Sequence, residues 1–358
     1  MNLSGFTFIV TEDCNFNCSY CYQKKDKKYM DFSMVKKAVD FFSPFFDDEC
    51  HISFYGGEPL LAFELIEETV DYFRRKKLNK KLQFALTTNG TELTETMLEF
   101  FYRHKFSLLL SFDGPAQEVC RKKGSYAKVL SVLKKMLSYP GLDIDTNSVF
   151  TPETIHLLPE SVELIAGLGV KQAQLSISTT SPWDRDDIVR LEKELEKTKN
   201  FLIAFYKENG VIPVDMFAGQ PRKGLFGCNG GKSRMTVAAG GKLWGCYLFP
   251  DYYKGKEGTK GYRKYCFGEL DSFIENHEDT YPRILANYEK LRMDYFCTSE
   301  TFCSICDELE ECHVCPVDAA LSGAVMGNIP DHLCRVNRTI RTVRDRFLKE
   351  IKEKTGNR

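Results

Sequence analysis

The sequence predicts an α/β fold in which six strand-then-helix units form a partial barrel of parallel strands, followed by a loop-rich cysteine-cluster domain and a C-terminal helix. Three observations predict this. Strand-like and helix-like periodicities alternate six times before Gly210. After Gly210 glycine, proline, cysteine and aromatic residues become dense, and helical periodicity returns only near the C-terminus. The predicted domains are residues 1–210, 211–335 and 336–358.

Each of the six units has its own signal. The predicted strands are residues 6–10, 51–55, 82–87, 107–111, 143–150 and 172–178. The predicted helices are residues 32–46, 60–78, 93–104, 126–137, 155–168 and 185–208, with a final helix at 336–354. Such alternation implies parallel strands joined by right-handed crossovers. Short polar or glycine-rich turns follow several strands, which is where a βα barrel carries its chemistry.

The composition is that of an ordinary soluble globular protein, with 43% hydrophobic and 28% charged residues. The net charge of −1 gives no indication of binding to nucleic acid or to an anionic membrane. The apolar runs are far shorter than the roughly 20 residues of a membrane span, and the first residues lack the regions of a signal peptide. We therefore expect a cytoplasmic protein without a nucleic-acid or membrane partner.

Fourteen cysteines are the unusual feature of the composition. A reducing cytosol disfavours disulfides, so clustered cysteines there more often bind metal or react. Most of them fall into recognisable groups, at positions 14, 18 and 21, at 228 and 246, at 303, 306, 312 and 315, and at 334. Cys50 and Cys120 belong to no motif, and we expect both to be free cysteines of the core.

The first group follows the first predicted strand directly, in the pattern C-x3-C-x2-C formed by Cys14, Cys18 and Cys21. Three thiolates can hold three irons of a [4Fe–4S] cluster, because such clusters are normally held by cysteine. The missing fourth ligand leaves one iron open to a small molecule, as a catalytic zinc site keeps an open position. The alternatives are a zinc site or a coincidence of three cysteines.

Further motifs follow the next strands: Gly56-Gly57-Glu58-Pro59, Thr88-Asn89-Gly90 and Ser111-Phe112-Asp113-Gly114-Pro115. Together with the cysteine loop, they make the sequence resemble the radical S-adenosylmethionine (SAM) superfamily. The resemblance implies the partial barrel of that family and an open iron that chelates SAM. One electron then cleaves SAM to methionine and a 5′-deoxyadenosyl radical, which abstracts hydrogen from an unactivated C–H bond.

The resemblance also assigns cofactor-binding residues. It implies that Gly56, Gly57 and Glu58 bind the methionine amino group of SAM and that Tyr20 packs near the adenine. It also implies that Asn147 contacts the SAM carboxylate or ribose, and that Arg121 is a candidate for a carboxylate contact. Thr88, Asn89 and Ser111 occupy further cofactor-binding positions, and Asp113 orients SAM or the substrate. The alternatives are a surface arginine at position 121 and a turn aspartate at position 113.

The remaining cysteines resemble the SPASM domain, a module that holds two auxiliary [4Fe–4S] clusters and brings the expected number of clusters to three. The family pattern assigns Cys303, Cys306, Cys312 and Cys334 to one cluster, and Cys228, Cys246 and Cys315 to the other. The second set lacks a fourth ligand, which Cys297 or Cys266 supplies unless an iron stays open; Cys297 is preferred because it lies six residues before Cys303. The spacing of Cys312 and Cys315 departs from the pattern by one residue, and a zinc site is the alternative.

Radical SAM enzymes with this module mostly modify peptides or proteins, so we predict a maturase that forms a thioether or carbon–carbon cross-link in a ribosomally made precursor peptide. Sulfatase-maturating enzymes carry an aspartate after the cysteine that corresponds to Cys246, and another cysteine where this chain has Arg234. Here Tyr247 takes the aspartate position, and Tyr247 or Asp251 is the candidate base. Oxidation of a cysteine or serine to formylglycine is the alternative, and a non-catalytic iron–sulfur or zinc protein is another.

Only thirteen residues precede Cys14, so a winged-helix leader-binding domain is not expected before the barrel. A separate protein or the barrel and SPASM surface would recognise a leader, and a flavodoxin- or ferredoxin-like protein would supply electrons. Aromatic residues between Trp244 and Tyr253 line a peptide channel or pack locally. Arginines at 335, 338, 341 and 344 form a basic stripe, which is a solvated helix face or a site for an acidic leader or RNA.

Overall fold

The computed structural model describes residues 1–218, 226–292, 302–312, 314–323 and 325–355. In this part of the chain nine strands form one sheet, in the order β6-β5-β4-β3-β2-β1-β7-β8-β9. The strands are β1 (Leu3–Thr11), β2 (Phe46–Gly56), β3 (Lys81–Thr88), β4 (Ser107–Ser111), β5 (Asp143–Phe150), β6 (Gln172–Ile177), β7 (Arg234–Val237), β8 (Lys242–Trp244) and β9 (Cys266–Glu269).

Helices connect the parallel strands and surround the C-terminal ones. They are α1 (Phe32–Phe42), α2 (Phe63–Lys76), α3 (Glu95–Arg103), α4 (Gln117–Cys120), α5 (Tyr126–Leu137), α6 (Leu158–Gly167), α7 (Arg185–Asn209), α8 (Asp215–Ala218), α9 (Leu248–Tyr253), α10 (Lys260–Tyr265), α11 (Leu270–Tyr288), α12 (Pro316–Leu321) and α13 (Asp331–Thr355). None of the described helices is both long and apolar enough to cross a membrane.

The predicted partial barrel is confirmed. Strands β1 to β6 pair in sequence order, and every pair is parallel. A single cavity of about 790 Å³ is lined by at least one residue from each of the six strands. These include Thr7, Ser53, Ala85, Leu109, Asp145 and Gln174. The sheet therefore curls around a lumen, and its other face packs against the helices.

Side-chain alternation explains which face each strand turns inward. On β5 Ile144, Thr146, Ser148 and Phe150 are buried against the helices, whereas the residues between them are partly exposed on the lumen side. Stacked phenylalanines fill the space between β1–β4 and the helices, and burial of each ring stabilises the fold by roughly 1.5–3 kcal/mol. They include Phe8, Phe54, Phe84 and Phe106, with Phe84 and Phe106 5.4 Å apart between centroids.

Three predicted boundaries are wrong. The helix predicted over residues 32–46 ends at Phe42, because Ser43–Phe45 forms a 3₁₀ turn with Pro44 in its first turn. Strand β2 then begins at Phe46 rather than at residue 51, and its exposed acidic positions hid its start. The C-terminal helix begins at Asp331, five residues before the predicted start at 336.

The second half of the chain continues the same sheet. Strand β7 pairs in parallel with β1, with Gly5 opposite Arg234 and Phe8 opposite Val237. Strands β8 and β9 add antiparallel neighbours beyond β7. The segment predicted as loop-rich also contains α11, a 19-residue helix. Strand pairing therefore crosses the boundary predicted at residue 210 and brings the C-terminal cysteines against the barrel.

Candidate functional site

The first cysteine loop leaves the end of β1 and is fixed by the turns that follow other strands of the barrel. Three hydrogen bonds do this: from Asn89 Nδ2 to Asn15 Oδ1 (2.8 Å), from Ser19 N to Cys120 O (2.8 Å), and from Thr180 Oγ1 to Tyr20 O (2.9 Å). The carboxyl ends of parallel strands meet at one edge of a sheet, so one loop can contact all of them. The cysteines are therefore held at the rim of the lumen.

The three sulfur atoms of this loop form one electrostatic group. Burial raises the pKa of Cys18 to about 11, and the nearby thiolates of Cys21 and Cys14 act in the same direction. The sulfurs of Cys14 and Cys21 each accept a hydrogen bond from the backbone N–H two residues later. Hydrogen bonds to sulfur are typical of cysteines that hold iron–sulfur clusters.

The Gly56-Gly57 turn packs directly beneath this loop. Gly57 N donates to Thr11 O at 2.9 Å, and Glu58 N donates to Asp13 O at 2.8 Å. A Cβ atom at position 57 would lie 2.0 Å from Asp13 O and 3.0 Å from the Cβ of Cys14. Only glycine fits there, so the turn fixes the position of the first cysteine.

Glu58 is 1% exposed and fixes the neighbouring turn through its carboxylate. Its Oε1 accepts from Thr88 Oγ1 at 2.6 Å and from Leu60 N at 3.1 Å, and its Oε2 accepts from Asn89 N at 2.7 Å. Burial outweighs these bonds and raises the pKa of Glu58 to about 7. Thr88 and Asn89 are thus partners of Glu58, and all three residues tie the end of β2 to the end of β3.

Asp113 and Arg121 form a buried ion pair above β4. Arg121 donates from Nε to Asp113 Oδ2 at 2.7 Å and from one terminal nitrogen to Oδ1 at 2.8 Å. Tyr20 OH and Val149 N also donate to this carboxylate, at 3.0 and 2.9 Å. Asp113 is 0% exposed and its acceptor positions are taken, so we assign it positioning rather than proton transfer. Burial alone would lower the pKa of Arg121, but Asp113 raises it.

Arg121 is not the surface arginine of the sequence alternative, since it is 8% exposed. The nitrogen that bonds Asp113 Oδ1 also donates to Asn147 O at 3.0 Å, and the Tyr20 ring centroid lies 5.5 Å from the guanidinium carbon. Among the described residues, none accepts a hydrogen bond from its other terminal nitrogen. One end of the guanidinium therefore stays available to an anionic ligand.

Ser111 and Asn147 lie opposite each other on β4 and β5, near the cysteine rim. Asn147 shares the strand face of Asp145, which lines the lumen. Its side-chain amide makes no hydrogen bond within the described part of the chain. Both residues therefore lie on the lumen face of their strands, and their contact with a ligand stays a prediction.

Two tyrosines, Tyr55 and Tyr247, line the side of the lumen that faces the C-terminal half, and a third contacts them. Tyr22 follows Cys21, and its hydroxyl lies 3.0 Å from that of Tyr55 at the end of β2. The ring of Tyr55 contacts that of Tyr247, which follows Cys246, with centroids 4.7 Å apart. Tyr22 and Tyr55 were missed from the sequence, although alternation with Ser53 on β2 places Tyr55 inward.

Asp251 lies near this group, on α9. It accepts a hydrogen bond from Lys24 N at 3.3 Å and interacts electrostatically with Cys21 and Tyr55. Burial raises the pKa of Asp251 to about 6. Of the candidate bases, Asp251 and Tyr247 are thus near the first cysteine loop, and Asp113 is held in its ion pair.

Electrostatic interactions link several of the C-terminal cysteines to one another. Burial raises the pKa of Cys246 to about 12, and Cys228 and Cys315 act in the same direction. Burial also raises the pKa of Cys312, with contributions from Cys334, Cys303 and Cys306. Cys297 lies outside the described residues. Within the described residues no three cysteine, histidine or acidic side chains approach closely enough to hold a single metal ion.

The burial of side chains decides the expectations for the two motif-free cysteines and for the aromatic stretch. Cys50 and Cys120 are 0% and 1% exposed, which confirms that both are core cysteines. Trp244, Phe249 and Tyr253 are buried and stack on one another, so most of the aromatic stretch packs locally. Tyr247 is the exception, because it is 37% exposed and lines the lumen.

Comparison with known proteins gives a family match. Residues 8–165 match the Radical SAM superfamily. An uncharacterized protein of Methanocaldococcus jannaschii is 34% identical over 173 residues, which cover 47% of this chain and 60% of that one. The radical SAM cyclopropyl synthase TigE of Paramaledivibacter caminithermalis is 26% identical, over 32% of this chain and 28% of its own. A cysteine-type anaerobic sulfatase-maturating enzyme of Clostridium perfringens is 33% identical, over 30% and 32%.

The matched segments thus span less than two thirds of each of these relatives. One solved structure, native anSMEcpe with bound AdoMet and the Cp18Cys peptide, covers 99% of both chains with a TM-score of 0.74. Its sequence is 18% identical, so it shows a shared fold.

Proposed function

Because residues 8–165 match the Radical SAM superfamily, we propose that this chain is a peptide maturase that cleaves SAM reductively and uses the resulting radical on a peptide. The product proposed is a thioether or carbon–carbon cross-link in a ribosomally made precursor. The observation that carries the proposal is the juxtaposition of the Cys14–Cys21 loop, the Gly56–Glu58 turn and the Arg121 guanidinium at one rim of the lumen.

The donors at this rim fit a [4Fe–4S] cluster with SAM. Cys14, Cys18 and Cys21 would hold the cluster, which supplies the electron for cleavage of SAM when bound. The available end of Arg121 would bind the SAM carboxylate, and Asn147 its carboxylate or ribose. Tyr20 would pack near the adenine, held in place by its bond to Asp113. Gly56 and Gly57 would present backbone groups to the SAM amino group.

Two auxiliary clusters are also proposed. Cys303, Cys306, Cys312 and Cys334 would hold one, and Cys228, Cys246 and Cys315 the other, as in a SPASM domain. The sulfurs of Cys228, Cys246, Cys312 and Cys315 each accept a backbone hydrogen bond from the residue two positions later, as Cys14 and Cys21 do. The bond is compatible with a ligand role but does not select for it, because Cys266 accepts the same bond from Gly268 N.

The lumen would hold the peptide and exclude water from the radical. Its volume of about 790 Å³ suits several side chains, and Tyr55 and Tyr247 form one wall beside Cys246. Asp251, with a pKa of about 6, is mostly ionised at pH 7 and would accept the proton that leaves the substrate. A flavodoxin- or ferredoxin-like protein is the proposed electron donor, and a separate protein the proposed leader-binding partner.

A second candidate function is oxidation of a cysteine or serine side chain to formylglycine. The similarity to a sulfatase-maturating enzyme favours it, and so does a carboxylate, Asp251, four residues after Tyr247. In this alternative Asp251 would be the base. It would take the role of the aspartate that sulfatase-maturating enzymes carry at the position of Tyr247. Mass spectrometry of a cysteine-containing sulfatase peptide after incubation with the enzyme distinguishes the aldehyde product from unreacted peptide.

The test of the proposed function starts with anaerobic reconstitution of the full chain. We expect about four irons per cluster, hence about twelve per chain, and 5′-deoxyadenosine after reduction with dithionite in the presence of SAM. Changing Cys14, Cys18 and Cys21 together to alanine should abolish 5′-deoxyadenosine and leave about eight irons. Cys120→Ala is the matched control and should retain both. Formation of 5′-deoxyadenosine by the triple variant would refute the proposal.

A further inference from the structure

The arginines of the stripe on α13 form ion pairs on a face that is still partly solvated, and the side chain of Arg338 is 53% exposed. Arg335 pairs with Asp331 of its own helix at 2.6 Å, and Arg344 with Asp345 at 3.2 Å. The two between them reach across to the loop of residues 302–312. Arg341 pairs with Glu308, and Arg338 pairs with the same carboxylate at 3.0 Å.

Arg338 differs from the other three because it also contacts a cysteine. One of its terminal nitrogens donates to Cys306 Sγ at 3.3 Å. Cys334 lies four residues earlier on the same helix face, so one helical turn supplies both a sulfur and a cation to the same group. Arg338 also interacts electrostatically with Cys334. Glu308 holds the guanidinium in this position.

We propose that Arg338 sets the reduction potential of the auxiliary cluster held by Cys303, Cys306, Cys312 and Cys334. This inference rests on the proposed function, since it requires that cluster. An electron added to the cluster makes it and its thiolate ligands more negative by one charge. A cation that donates a hydrogen bond to a ligand sulfur stabilises this reduced form more than the oxidised form, and so raises the potential.

All four arginines of the stripe pair with carboxylates, and Arg341 contacts both Glu308 and Glu311. Arg341 also interacts electrostatically with Cys306. Among the described contacts of the stripe, the hydrogen bond to a ligand sulfur is made by Arg338. Arg338 is therefore the arginine whose charge acts on a ligand sulfur by direct contact. Its role is to tune a cluster, and it does not touch substrate.

The test is a redox titration of the reconstituted full chain, monitored by electron paramagnetic resonance with dithionite as reductant. Cys14, Cys18 and Cys21 are changed to alanine so that only the auxiliary clusters contribute. In Arg338→Gln we expect the reduced-to-oxidised ratio of one auxiliary cluster to fall about three- to tenfold at the wild-type midpoint; tenfold corresponds to 59 mV for one electron. Arg338→Lys, which keeps the charge, should lose less.

Arg346→Gln is the matched control. It removes the same charge from the same helix, about 12 Å further along, where Arg346 pairs with Glu192 and Glu196. A midpoint in Arg338→Gln equal to that in Arg346→Gln would overturn the inference while the cluster itself is present. If the iron content of the protein before the Arg338 substitution shows that it lacks an auxiliary cluster, the proposed function is overturned instead. The two failures are therefore distinguishable.

Discussion

Arg121 donates two hydrogen bonds to the carboxylate of Asp113, at 2.7 and 2.8 Å, and neither residue is more than 8% exposed. The pair connects the turn after β4 to Tyr20 in the cysteine loop and to the backbone of β5. A ligand that binds the available end of Arg121 therefore meets a guanidinium whose orientation is already fixed. Pre-orientation of this kind lowers the entropy cost of binding.

Asp113→Asn should destabilise the protein by about 3–5 kcal/mol, because it leaves a buried guanidinium without its counter-charge. Urea unfolding of the cluster-free protein measures this. Asp145→Asn is the control, since Asp145 is partly exposed on the lumen face and its carboxylate makes no hydrogen bond with a described residue. Equal stability of the two variants would contradict the assignment.

Replacing both members, with Asp113→Leu and Arg121→Met, separates stability from ligand binding. The double variant should regain part of the stability, because no buried charge is left unpaired. Its affinity for SAM should still fall at least about tenfold, the amount that corresponds to loss of one charged hydrogen bond. Equilibrium dialysis measures the affinity, and wild-type binding by the double variant would exclude Arg121 as a SAM contact.

Glu58 makes the stability of the barrel depend on pH. Its pKa is about 7 in the folded protein, against an ordinary value of 4.5, so the folded state binds the proton more tightly than the unfolded state. The contribution of Glu58 to the free energy of unfolding should therefore be largest below pH 4.5 and fall by roughly 3 kcal/mol as the pH rises through 7. Glu58→Gln should remove this slope in urea titrations of cluster-free protein, whereas the exposed Glu64→Gln should keep it.

Gly57→Ala tests the packing of the cysteine loop on the glycine turn. The added methyl group would lie 2.0 Å from Asp13 O, so the loop must move away from β2. We expect the reconstituted variant to lose about four irons and its SAM cleavage, with its circular dichroism spectrum unchanged. In Gly167→Ala no atom lies within 4 Å of the new methyl group, and iron content should stay as in the wild type.

Cys266→Ala decides one of the alternatives for the incomplete cysteine set. Cys266 Sγ contacts Tyr262 OH at 3.6 Å. Burial raises the pKa of Cys266, and the neighbours that also influence it are not cysteines: Tyr262, the Gly268 N–H, Lys242 and Glu269. Cys246 is influenced instead by Cys228 and Cys315. Iron content should therefore be unchanged in Cys266→Ala and fall by about four in Cys246→Ala. A loss in both would make Cys266 the fourth ligand.

The sequence predicted the barrel well because each strand carries its own local signal, and the motifs that follow the strands must meet at one rim. It failed where a contact joins distant parts of the chain. The pairing of β7 with β1 depends on residues more than two hundred positions apart, and neither strand records its partner. The ion pair of Asp113 and Arg121 is similar: each residue was noticed, but burial and mutual contact are properties of the fold.

The arginine stripe shows the same limit on a shorter scale. A repeat of three residues predicted one basic face, which the helix does have. The partners of that face include Glu308 and Cys306, which come from a loop before the helix. Tyr55 was missed for the opposite reason. Its strand alternation was visible, but no motif marked it as functional.

Synthesis runs from the N-terminus, and the parallel neighbour that covers the outer edge of β1 is made more than two hundred residues later. Until Arg234–Val237 docks, one edge of β1 has open N–H and C=O groups, which is a template for pairing with another chain. A fragment that stops at residue 210 would keep that edge permanently. Such a fragment should aggregate.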